Sequence, residues 1–101
     1  MTPEFLPEAD AELLESIEWY AERDLLTAVR FRDAVEAAAM RLLTFPDSYP
    51  LVFGSIRACS LQHFPFRLIF RRRQKGIQIV AVAHVSRRPG YWVDRLSDAD
   101  N

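Results

Sequence analysis

Apolar positions change their period once along the chain. Over residues 8–22, EADAELLESIEWYAE, Leu13, Ile17 and Tyr20 recur at helical spacing, with Ala9 and Ala21 on or beside the stripe. Pro7 suits a first helical turn, where its missing N–H is not needed, and Glu8, Asp10 and Glu12 complement the positive helix end. Trp19 falls off the stripe and is expected to pack at a helix edge, with facing a partner as the alternative. A second helix is predicted over 25–44, with Ala28, Phe31, Val35, Ala38 and Leu42 on one face and Phe45 closing it. Pro46 stops it, and the short link Arg23-Asp24 implies an antiparallel helix hairpin. Residues 46–54, PDSYPLVFG, read as a loop.

From there the period becomes two. Strands are predicted over 55–62, 64–73 and 76–86, the last two joined by a turn at Gln74-Lys75-Gly76, and Glu4-Phe5-Leu6 suits an edge strand. Helices first and strands second predict an α+β domain, a helix hairpin on one face of a small, mostly antiparallel sheet. In the second strand Phe66, Leu68 and Phe70 point one way, toward the helices, leaving Arg67, Ile69 and Arg71 on the uncovered face. In the third strand Ile77, Ile79, Ala81, Ala83 and Val85 alternate with Gln78, Val80, Val82, His84 and Ser86, so both faces are largely aliphatic. The hairpin covers only one. The other, with Ile69, Val80 and Val82, needs the chain's own tail, through Tyr91 and Trp92, or a partner polypeptide.

Composition narrows the class. The 101 residues suit one domain, 1–101, with 96–101 expected as a flexible tail. No apolar run approaches the roughly 20 residues of a membrane span, and the acidic N-terminus lacks a secretory pattern. The lone Cys59 is expected to be buried and inert. His63 and His84 stand far apart, so no metal site and no cofactor is expected, and the reading is a reduced, cytoplasmic protein. The net charge of −1 hides a polarity: residues 1–45 carry ten acids and four bases, residues 46–96 two acids and nine bases. Either each half is a solvated face, or the basic half steers an anionic partner.

Several stretches together resemble a known family. PEADAELLESIEWY resembles the opening helix of the RelE/ParE superfamily, the toxic half of bacterial type II toxin–antitoxin pairs, and AVRFRDAVE its second helix. FPFRLIF is similar to the aromatic–Arg–aliphatic–aromatic strand of these toxins, and AVAHVSRRPGYW to the closing strand with its basic-aromatic tail. The resemblance covers nearly the whole chain and implies a cognate antitoxin, placed here on Ile69, Val80 and Val82, and operator DNA bound only through the antitoxin complex.

The superfamily divides by target. RelE-type members cut messenger RNA on the ribosome, and ParE-type members poison DNA gyrase. Cleavage by a 2′-hydroxyl needs a proton acceptor, a proton donor and cations against the phosphate. Of the RelE-type set, the strand arginine matches Arg67, the two strand lysines fall at Ala58 and Ser60, and a C-terminal arginine and tyrosine correspond loosely to Arg87 or Arg88 and Tyr91. The candidates for catalysis are therefore Arg67, His84, Arg88 and Tyr91, with His84 as either a base or a packed strand residue. The candidates for target binding are Arg67, Arg71, Arg87, Arg88, Tyr91 and Trp92. The missing lysines favour the ParE-like branch, a toxin that binds gyrase or a similar replication target. A ribosome-dependent ribonuclease and a non-toxic, complex-forming co-regulator are the alternatives.

Overall fold

The structure, a computed structural model, describes residues 2–96. Elements follow in the order β1 (Glu4–Phe5), α1 (Pro7–Arg23), α2 (Leu25–Thr44), β2 (Leu51–Phe53), β3 (Ile56–Ser60), β4 (Phe66–Arg73) and β5 (Gly76–His84), with 3-10 turns at Pro46–Ser48 and Val93–Arg95. The five strands lie in the order β1-β5-β4-β3-β2. β1 runs parallel to β5, and every other pairing is antiparallel. This is the α+β arrangement expected from periodicity.

Local chemistry explains most boundaries. Pro7 opens α1 with Glu8 and Asp10 in the first turn. Asp24 alone separates the helices and caps α2, its Oδ2 accepting from the Thr27 N–H at 3.1 Å and the Thr27 hydroxyl at 2.6 Å. Those bonds hold the Asp24 carboxyl below its ordinary pKa, the Thr27 hydroxyl first and the Thr27 N–H second. Trp19 sits at the edge of the helix, its ring edge-on to Tyr20 at 5.1 Å. It is 51% exposed, with the Arg23 guanidinium 3.6 Å above its ring. One strand was not anticipated: β2 lies within the predicted loop 46–54, where Leu51-Val52-Phe53 pairs with β3 across the Gly54-Ser55 turn. Gly54 takes φ 53°, a conformation glycine adopts without strain.

The sheet carries a core on each face. Between the helices and the sheet, Phe31, Val35, Ala38 and Leu42 of α2 pack with Cys59, Phe66, Leu68, Phe70 and Ile79. Cys59 is buried, as expected. On the other face Ile56, Ala58, Ile69, Val80, Ala81 and Ala83 form a second cluster under Trp92, with Leu6, Tyr91, Val93 and Leu96 around it. The predicted flexible tail 96–101 thus begins with a packed residue, and the rest of that stretch lies outside the described residues.

The strict alternation predicted for β5 is broken. Ile69 faces Ala81 while Phe70 faces Ile79, so Val80 is one residue too many for β4. Past this bulge the faces exchange: Val80, Ala81 and Ala83 join the second cluster, and Val82 turns back to the helix side. The open aliphatic patch of Ile69, Val80 and Val82 is therefore corrected. These side chains are 0%, 0% and 2% exposed, and they belong to two different cores.

Candidate functional site

After His84 the chain leaves the sheet in a series of turns. The Arg87 N–H donates to the His84 carbonyl, Tyr91 N–H to the Arg88 carbonyl, and Val93 N–H to the Gly90 carbonyl. Gly90 sits at φ 74°, which lets the chain double back over the sheet. The turn drives Trp92 into the second core, 3% exposed, with its ring edge-on to Phe53 at 6.2 Å. Trp92 is thus a plug for the face opposite the helices, and its expected role as a target-binding side chain is corrected by that burial.

Tyr91 is fastened from below. Its hydroxyl donates to Glu12 Oε2 at 2.5 Å, and Arg95 grips the same carboxylate with two bonds of 2.8 and 2.9 Å. Glu12 Oε1 also accepts from the Val82 N–H at 3.0 Å, while Arg95 donates to the Val80 carbonyl at 3.1 Å. β1 pairs with β5 only as far as Ile79, so these side chains satisfy the edge of β5 where no strand continues. Both charges of the pair are largely buried, at 13% and 16% exposure. Burial raises the Tyr91 pKa well above the usual phenol value, and the bond to Glu12 raises it further. Arg95 is held above its ordinary value, chiefly by the bond to Glu12. A phenol in this setting is a fixed hydrogen-bond donor and stays protonated.

The other candidates stand apart. Arg67, on the tail side of the sheet, faces Ala83 and Ser60 and is half-buried, with no hydrogen-bond or ion-pair partner among the described residues. His84 faces Phe66 in register, and its ring meets the Phe66 ring edge-on at 5.0 Å, on the helix side. The two project from opposite faces, so the fold does not bring Arg67 and His84 to one reacting centre. His84 Nδ1 accepts from the Ser86 N–H at 3.0 Å and contacts the Ser86 hydroxyl at 2.7 Å, which fixes the ring as part of a turn. Ala58 is buried in the second core and Ser60 carries no charge, so neither replaces a strand lysine. Arg71 lies farther along β4, its Nε donating to Gln78 Oε1 at 2.9 Å. Arg87 and Arg88 are exposed at the end of the sheet, with the Arg87 guanidinium 3.9 Å over the Tyr91 ring.

Sequence reasoning missed Glu12 and Arg95 as the residues that fasten this element. A signal for Glu12 was present. It stands among Ala9, Leu13, Ser16 and Ile17, the inward positions of α1, where an unpaired charge is costly. Nothing near Arg95 marks it as the partner, because the contact spans 83 residues of chain.

Residues 4–89 match the sequence model for the ParE toxin of the type II toxin–antitoxin system parDE. The chain belongs to the ParE toxin family. A solved chain described as the chromosomal ParDE TA system from P. aeruginosa shares the fold at a TM-score of 0.72, with 20% identity over 83% of this chain and 95% of that one. No curated protein matches the chain. Among the described residues no helix of this ParE family member is long and apolar enough to cross a membrane.

Proposed function

We propose that this chain is the toxin of a type II toxin–antitoxin module, acting in the cytoplasm by binding an essential replication target such as DNA gyrase and neutralised by a cognate antitoxin. The observation that carries this reading is the composition of the tail surface. Arg87 and Arg88 are exposed beside Tyr91, but the two candidate proton-moving groups, Tyr91 and His84, are engaged elsewhere. Tyr91 is tied to Glu12 and His84 points to the opposite face, whereas binding needs only surface and charge. Arg67, on the tail side of the sheet, belongs with the target-binding set in this proposal.

Expression of the chain alone tests it, with growth, gyrase supercoiling and reconstituted translation read in parallel. Growth arrest with gyrase inhibition and intact transcripts supports the proposal. Cleaved transcripts instead point to a ribonuclease, and that outcome requires toxicity to fall with His84→Gln by roughly 10²–10⁴ in rate if the histidine is the base. Absence of toxicity in a folded protein that binds an antitoxin tightly leaves the co-regulator.

A further inference from the structure

The β4–β5 hairpin carries a second basic surface, at the end of the sheet away from Arg87 and Arg88. Nine residues of β5 separate the two, about 30 Å at 3.3 Å per residue. Four cations occupy five consecutive positions, Arg71-Arg72-Arg73-Gln74-Lys75. Arg72, Arg73, Gln74 and Lys75 line a cleft of about 740 Å³ with Glu4 and Gln78, and a second of about 360 Å³ with Leu43 and Pro46. Cationic side chains therefore reach the space on both flanks of the turn.

Neutralisation within the protein is incomplete. Arg72 meets Asp47 at 2.8 Å, but both side chains are more than half exposed, so the pair holds weakly. Arg73 donates to the neutral Gln78 Oε1 at 3.3 Å, and Lys75 has no hydrogen-bond or ion-pair partner among the described residues. Glu4 is the acid that lines the first cleft, and its carboxylate accepts from Gln78 Nε2.

The chemistry of the two clefts selects the ligand. The apolar residues in the lining, Leu6 of the first cleft and Leu43 and Ile77 of the second, are themselves partly or fully buried, and none of the exposed large apolar side chains lines either cleft. A peptide partner needs buried apolar anchors for most of its binding energy. A single strand needs aromatic platforms for its bases, and neither cleft has one. A duplex backbone needs cations alone, because displaced counterions drive the association.

We propose that the β4–β5 hairpin binds the phosphodiester backbone of duplex DNA through Arg72, Arg73 and Lys75. The contact is independent of base sequence and of the tail surface. It does not require that gyrase be the target.

Anisotropy of a labelled random-sequence duplex, titrated with the purified chain at several salt concentrations, tests this. Three phosphate contacts predict a slope of about −2.7 in log K against log salt. Arg73→Gln with Lys75→Gln should reduce the slope by about 1.8 and weaken binding at least tenfold at low salt. Arg30→Gln with Arg32→Gln, two exposed positions of α2, should leave both unchanged, and circular dichroism verifies that each variant is folded. The proposal is overturned by no binding at low salt, by a slope that ignores the hairpin variant, by tighter binding to a single strand, or by poly-glutamate competing as well as DNA.

Discussion

Replacing Glu12 by alanine removes four hydrogen bonds from a site that water scarcely reaches: two from Arg95, one from Tyr91 and one from the Val82 N–H. The Arg95 charge, 16% exposed, is then left without its counter-ion. Breaking a buried pair by deleting one partner costs about 3–5 kcal/mol. A domain of this size is stable by about 5–15 kcal/mol, so the loss is a large share of the whole. At about 4–8 °C per kcal/mol, Tm should fall by at least about 12 °C. Glu12→Met combined with Arg95→Met removes both charges, and the double variant should be more stable than Glu12→Ala by about 2 kcal/mol. Trp92 reports on the tail directly. In a Trp19→Phe background it is the sole tryptophan, and it is buried. Its emission should move to the red in Glu12→Ala at urea concentrations where circular dichroism still shows a folded sheet. The reasoning fails if Glu12→Ala unfolds within about 1 kcal/mol of its parent, a difference that an exposed pair would give.

Trp92→Ala should cost about 3–5 kcal/mol in denaturant unfolding, because the side chain fills the second core. Deleting residues 87–101 would thus test folding before target binding. The exposed Arg87→Ala with Arg88→Ala should stay within about 0.5 kcal/mol of the parent and lose growth inhibition. Tyr91 has a raised pKa in the folded state, so its contribution is fully present below the unfolded value of about 10 and is lost as pH rises above it. Tm measured from pH 8 to 11 should fall at the alkaline end, and Tyr91→Phe should flatten that fall. Tyr20, also raised by burial, should leave a residual decline. Val82→Glu puts a charge in the helix-facing core and should abolish the cooperative thermal transition. A folded Val82→Glu protein would refute the assignment of that side chain to the interior.

Legibility followed the strength of the local pattern. The α2 stripe from Ala28 to Leu42 and the trio Phe66, Leu68 and Phe70 were read correctly because burial repeats over several turns or pleats. β2 was hidden because three residues between Pro50 and Gly54 give no period. The faces of β5 were misread past Ile79, since one inserted residue exchanges every later side chain and a uniformly aliphatic strand shows no trace of it. Arg87 and Arg88 were legible as exposed cations past the last strand. Tyr91 and Trp92 looked exposed because the turn that folds them inward is fastened by Glu12, a residue of the first helix.

The first strand and the last turn of the fold depend on each other. β1 has no sheet to join until β5 exists, and Glu12 waits for Arg95. During synthesis β1 and Glu12 emerge early, and Arg95 follows Glu12 by 83 residues. The helix hairpin can form early from neighbouring segments, but the sheet closes only when the final turn leaves the ribosome. Until then the Ile69 and Val80 face has no cover, and a nascent chain stalled before Trp92 would present it to chaperones and to other chains. The first strand and the last described turn are made far apart in time and become stable together.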